Sequence, residues 1–227
     1  MQSLTRSGQS LANRHHPRRS RSARPRLEEF ERRELLSTIV DLGTLGGQGV
    51  TVTDINDVRQ VVGSEFVVGE GTRAFLLGSI AGPQDLGILA GYTSSYATGI
   101  NASGRVIGYS ERAVGGGPQP RAFFVEKGRM TDLGILPGGT SSKATGINSA
   151  GQVVGWADGA GGGLTAFLYS NGNMSNLGGL PGSSGGEANA INDSGQIVGF
   201  SWVGGIGSLS KRAFLYSGGK FTDLGTG

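Results

Sequence analysis

Residues 97–134 state a pattern that most of the chain repeats. They read ATGINASGRVIGYS, a variable stretch, then RAFFVEKGRMTDLG. VTDINDVRQVVGS and RAFLL stand at 52–64 and 73–77, and ATGINSAGQVVGW and TAFLYSNGNMSNLG at 144–156 and 165–178. ANAINDSGQIVGF and RAFLYSGGKFTDLG follow at 188–200 and 212–225. Counted from the residue before each Leu-Gly (Asp41, Asp85, Asp132, Asn176, Asp223), the spacings are 44, 47, 44 and 47. A fixed period between about 20 and 50 residues marks a propeller, a solenoid or an array.

The repeat also fixes the contents of each unit. Short apolar runs flank tight turns twice per unit: Ile100 and Val106-Ile107 around Asn101–Gly104, then Phe123–Val125 and Met130 around Glu126–Gly128. Runs this short, rich in Val, Ile and Phe and bounded by Gly, Asn and Ser, read as strands in hairpins. Each unit thus has four strand positions, a to d, and no helical periodicity. Four antiparallel strands bury both faces when sheets pack face to face, and radial packing of that kind is the β-propeller. A straight β-solenoid is the rival, but its parallel pairing needs no two hairpins per unit. The expected fold is all-β. It is a β-propeller-like array of four repeats at approximately 41–84, 85–131, 132–175 and 176–227, in a domain spanning 37–227.

Position a carries the smallest residues (Ala97, Gly99, Ala144, Gly146, Ala188, Ala190), which places it nearest the axis. Position d occurs five times, at 38–43, 82–87, 129–134, 173–178 and 220–225, against four of each other position. If the ring closes, the two terminal d strands compete for one slot, and closure through both termini favours the N-terminal one. If it stays open, unpaired edge strands drive self-association.

The invariant positions within the chain carry geometric expectations. Ile55, Ile100, Ile147 and Ile191, with Phe75, Phe123, Phe167 and Phe214, are the expected core. The alanine before each Phe (Ala74, Ala122, Ala166, Ala213) faces a neighbouring blade. Asn56, Asn101, Asn148 and Asn192 open the a–b turn. Gly104, Gly151 and Gly195 close it at positive φ, where Arg59 in the first copy implies strain. Gly63, Gly108, Gly155 and Gly199 imply a bulge or a close backbone approach. Asn176 among the aspartates keeps the acceptor and loses the charge. That favours a turn cap there over catalysis or calcium, and the D-x-D-x-D-G loop of calcium sites is missing from the chain.

Composition narrows the function classes. There is no cysteine, so disulfides and cysteine-ligated zinc are excluded. The longest apolar run is about four residues, against the ~20 of a membrane-spanning helix. The net charge of +3 divides unevenly. Residues 1–39 hold nine Arg and four Glu, net +5, and residues 40–227 hold eleven Lys and Arg against thirteen Asp and Glu, net −2. The repeat region is therefore not expected to bind nucleic acid. Residues 1–36 form an Arg-rich tail expected to be disordered. Glu28–Arg32 and Glu29–Arg33 support a short helix after Pro25.

The units DLGTLGG, GINxxGQVVG and RAFLY resemble the HAF repeat family of bacterial extracellular proteins, over residues 38–225. The chain departs at the family's namesake histidine, replaced by Arg73, Arg121, Thr165 and Arg212. RPRLEEFERRELLS at 24–37 resembles a short element found ahead of large exported repeat proteins in some bacteria, with Phe30 where Leu is usual. The resemblance implies a secreted, extracellular or cell-surface repeat protein and carries over no catalytic residue. An export-associated leader is the first reading of the tail, a solvated arm the second and nucleic-acid binding the third.

In a meander the a–b and c–d turns share one edge, and the variable b–c and d–a loops share the other. Function concentrates on loops held by a rigid scaffold. That edge carries the candidate binding face: Tyr92, Tyr96, Tyr109, Glu111, Trp156, Asp158, Glu187 and Trp202. Tyr109, Trp156 and Phe200 equally read as a continuation of strand b. The leading function is a non-enzymatic module binding a carbohydrate or protein ligand, without cofactor or metal. A structural matrix repeat is second. A carboxylate-dependent glycoside hydrolase is third, with Glu65, Glu70, Glu111, Asp158 and Glu187 as candidates.

Overall fold

The computed structural model describes residues 41, 43–78, 82–115, 117–204 and 210–225. The tail, helix and leader expectations for residues 1–40 lie outside them.

Hairpins alternate along the whole described chain. The first blade is β1 (Gln48–Ile55), β2 (Val61–Val67), β3 (Gly71–Leu77) and β4 (Gln84–Asp85). The second is β5 (Ser94–Ile100), β6 (Val106–Val114), β7 (Gly117–Glu126) and β8 (Arg129–Asp132). The third is β9 (Ser142–Ile147), β10 (Val153–Asp158), β11 (Leu164–Ser170) and β12 (Asn173–Gly178). The fourth is β13 (Gly186–Ile191), β14 (Ile197–Val203), β15 (Ser210–Ser217) and β16 (Lys220–Gly225). Each blade is a four-stranded antiparallel meander in sequence order. The all-β propeller-like array is the observed architecture.

Each a strand packs on the b and c strands of the preceding blade: β5 on β2 and β3, β9 on β6 and β7, β13 on β10 and β11. Successive a strands also touch one another, β1 with β5, β5 with β9 and β9 with β13. No comparable contact joins the d strands of neighbouring blades among the described residues. The a strands therefore converge, as their small residues require. Among the described residues blade 4 makes no comparable contact with blade 1, and the array they form is open.

The c-strand phenylalanines are the blade centres. Phe123, Phe167 and Phe214 are fully buried and Phe75 nearly so. Burying each is worth roughly 1.5–3 kcal/mol. The glycine opposite makes room for the ring: a Cβ at Gly108 would lie 2.7 Å from Phe123 Cζ and closer still to the Tyr96 carbonyl oxygen. Gly63, Gly155 and Gly199 meet the same obstruction, beside a register shift between strands a and b in every blade.

Three expectations need correction. Ile55 is 61% exposed rather than core, because no described strand packs over β1 on that side; Ile100 is buried and Ile147 and Ile191 are half-buried. Ala213 is exposed whereas Ala74, Ala122 and Ala166 are fully buried, because no strand of another blade packs on β15 among the described residues. The outer slot of blade 4 is filled by β16, paired with β15, and not by the N-terminal d segment. Of that segment Asp41 and Gly43 are described, and neither is in a strand.

Candidate functional site

The uniform edge is built by side-chain caps. Asn101 Oδ1 accepts the Arg105 amide at 2.9 Å, closing the a–b turn, and Asn56, Asn148 and Asn192 do the same for Gln60, Gln152 and Gln196. Their amide groups also reach the next blade: Asn56 Nδ2 donates to the Asn101 carbonyl, Asn101 to Asn148 and Asn148 to Asn192, at 3.0–3.1 Å.

The residue before each Leu-Gly is a turn cap. Asp41, Asp85, Asp132, Asn176 and Asp223 each accept the amide of the glycine two residues on, at 2.7–2.9 Å. The second carboxylate oxygen of Asp85, Asp132 and Asp223 faces Arg73, Arg121 and Arg212 at 3.2–3.6 Å. In blade 3 both partners change, and the Thr165 hydroxyl donates to Asn176 Oδ1 at 2.7 Å. The arginine before Ala-Phe, at Arg73, Arg121 and Arg212, is thus a c–d strand staple.

The variable edge is where the candidates meet. The b strands run further than the turn signals suggest. Tyr109, Glu111, Trp156, Asp158 and Trp202 lie within strands, Tyr96 and Glu187 lie in a strands, and only Tyr92 sits in a d–a loop. The loops of this edge are pinned to strand b. Ser110 and Ser201 hydroxyls accept the amides of Leu89 and Leu180, and the buried Glu65 carboxylate accepts those of Leu45 and Gly47 at 2.6 Å. Asp158 plays this part in blade 3, accepting from the amides of Thr140 and Ser141 and the Thr140 hydroxyl. Burial pushes its carboxyl up, but those hydrogen bonds outweigh it and hold the group below the usual carboxylate range.

A row of side chains crosses blades 2 to 4 on this edge. Tyr96 and Tyr109 stack across β5 and β6 with ring centres 4.8 Å apart. Lys143, from the a strand of blade 3, places its ammonium 4.3 Å from the centre of the Tyr109 ring. Lys143 lies opposite Trp156, and Glu187 opposite Phe200. Lys211 Nζ lies 4.0 Å over Phe200, whose ring meets Trp202 edge-on at 5.2 Å. Tyr92 stands apart, under the Arg112 guanidinium. Burial, the Glu111 charge and Tyr96 push the Tyr109 hydroxyl up to about 12, so it stays neutral. Burial also raises the Glu187 carboxyl, against the opposing pull of Lys211 and Lys143. Sequence reasoning missed Lys143 and Lys211. Their alternation with aromatics was visible only after cross-strand pairing.

The carboxylates offered for hydrolysis are mostly committed elsewhere. Glu65 and Asp158 hold loop amides, and Glu70 pairs with Arg73 at 2.8 Å. Among the described residues no group of three or more His, Asp or Glu side chains could hold a metal ion. No helix among them is long and apolar enough to cross a membrane.

A family described as "Protein of unknown function (DUF3466)" matches residues 89–180, which hold all strands of blades 2 and 3. None of the curated proteins matches the chain. Among solved structures, TolB from Acinetobacter baumannii is similar, with a TM-score of 0.52 and 14% sequence identity. That likeness covers 78% of this chain and 43% of the TolB chain, so this chain spans less than half of TolB's length. At that identity it shows the fold alone.

Proposed function

We propose that this chain is a non-enzymatic binding module that docks a protein partner on the edge shared by its d–a and b–c loops. The contact row is Lys143, Trp156, Glu187, Lys211 and Trp202. The observation that carries this reading is that lysine ammonium groups lie over the Tyr109 and Phe200 rings of this edge. Tyr96 covers Tyr109, Lys143 lies over Tyr109, and Lys211 lies over Phe200. A sugar stacks on a free ring face, and the Tyr109 and Phe200 rings are already engaged by these partners. What the row offers instead is half-buried aromatics between charges of both signs, and aromatic anchors of this kind dominate protein interfaces. The pinned loops favour the same reading, because a preorganised edge loses little entropy on docking. The HAF resemblance and the Arg-rich start support a secreted, cell-surface location for the module.

Labelled full-length protein should bind cells of the producing organism, and protease treatment of the cells should abolish binding. Trp156→Ala and Trp202→Ala should each weaken it by about tenfold or more. Lys127→Ala, on the opposite edge, should leave it intact. Binding that survives protease and is competed by soluble surface polysaccharide would replace the protein reading with the carbohydrate one.

A further inference from the structure

Inside the chain one interface is built three times. Ala97 of β5 packs on Val62 and Ala74 of blade 1. Ala144 of β9 packs on Ile107 and Ala122 of blade 2, and Ala188 of β13 on Val154 and Ala166 of blade 3. Two rows of hydrogen bonds accompany the packing. One is the asparagine ladder that ends at the Asn192 carbonyl. The other runs from threonine hydroxyls to the alanine carbonyls of the next blade: Thr53 to Ala97, Thr98 to Ala144 and Thr145 to Ala188, at 2.7–3.0 Å.

Among the described residues the two ends of the array carry the unmated halves of this interface. On blade 4 the receiving positions are Val198 and Ala213. Val62, Ile107 and Val154 are fully buried, whereas Val198 is 41% exposed. Beside it lies an open groove of about 280 Å³, lined by Ile191, Gln196, Val198 and Leu215. Asn189 stands at the threonine position with an amide able to donate, and Asn192 Nδ2 reaches only its own turn partner Gln196. On blade 1 the inserting strand is β1, with Val52 at the alanine position and 55% exposed. Nine large apolar side chains are exposed among the described residues. Six of them (Val50, Val52, Ile55, Val58, Phe66, Val68) belong to blade 1, and Val198 and Leu224 to blade 4, so the apolar surface is concentrated at the two ends.

We infer that the exposed face of β14 and β15 receives β1 of a second copy of this chain. The inference is independent of the partner proposed for the loop edge. Val52 sits on Val198 and Ala213 of the other copy, Asn189 donates to the Val52 carbonyl, and Asn192 Nδ2 donates to the Asn56 carbonyl. The contact is head to tail, because the two surfaces differ, and such contacts close into rings or propagate. Two four-bladed chains closing on each other give eight blades, within the four to eight typical of propellers.

The test is sedimentation velocity on the full chain over rising concentration, which should show association beyond the monomer. Val52→Glu and Val198→Glu each place an unpaired carboxylate in the contact while sitting at exposed, fold-tolerant positions. Each should weaken self-association by at least about tenfold, with unchanged circular dichroism. An equimolar mixture of the two variants should regain heterodimers, since one variant keeps an intact β1 and the other an intact blade 4 face. A second measurement uses the absence of native cysteine. Val52→Cys in one chain and Ala213→Cys in another should cross-link on mixing under oxidation, and Val52→Cys with Gly115→Cys should not. A chain that stays monomeric at all concentrations overturns the inference, as does unchanged association of both Glu variants or failure of the mixture to regain dimers.

Discussion

Arg59 occupies the place where the other three repeats put glycine. Its φ is 63°, against 80°, 79° and 75° at Gly104, Gly151 and Gly195. A non-glycine residue in this region costs roughly 1–2 kcal/mol. The Arg59 side chain is exposed, and no bond among those of the turn offsets the strain. Arg59→Gly relieves it and returns part as greater freedom of the unfolded chain, roughly 0.5–1 kcal/mol. The expected outcome is a net gain of about 0.5–1 kcal/mol, read as a higher urea midpoint with an unchanged slope. A lower midpoint would mean that Arg59 makes a compensating contact. The same scale explains Thr165 and Asn176. Read singly, each is a departure from the repeat; read as a pair, an ion pair has become a neutral hydrogen bond on the same two strands. The asparagine was legible as evidence against catalysis, but its link to Thr165, eleven residues away, needed the c–d register.

The blade is legible in the sequence because its signals are local. Asn-x-x-Gly sets the a–b turn, Leu-Gly ends strand d, and the glycine facing each Phe follows from strand alternation. What joins blades is not local. Asn56, Asn101 and Asn148 each use the oxygen on a residue four positions on and the amide on a carbonyl 44 to 47 positions on, and only the first is written in a turn motif. The site suffered similarly. Glu65 and Asp158 looked like free acids because sequence does not show that loop amides converge on them, whereas Lys143 and Lys211 gained meaning only from the rings they cover. The double use of asparagine makes a quantitative prediction. Asn101 is buried and holds both its turn and the Asn148 carbonyl, while Asn192 is exposed and holds its turn alone. Asn101→Ala should cost roughly 2–3 kcal/mol, since it strands buried partners, and Asn192→Ala about 1 kcal/mol, the loss of a cap. Urea melts at low chain concentration check the difference; equal costs would remove the inter-blade bond from the energetics.

At the scale of the molecule, an open array differs from a closed ring in where it comes apart. Among the described residues each inner blade has two neighbours, whereas blades 1 and 4 have one each. Stability in such an array is close to a sum of unit and nearest-neighbour contributions, so opening starts at the ends. Burial follows the same gradient: β1 is exposed along nearly its whole length, while β6 and β10 begin in fully buried valines and isoleucines. Native-state hydrogen exchange at low chain concentration should therefore release β1 and β13–β16 first and β6, β7 and β10 last, by distinct opening free energies. Raising the concentration should slow exchange in β1, β14 and β15 selectively if those strands meet in a second copy, with little change in β6 and β7. That pattern separates end-to-end pairing from general compaction, which would slow all four blades alike. Uniform exchange at every concentration would mean that the four blades open as one cooperative unit, and both the open array and the mating of its ends would then have to be given up.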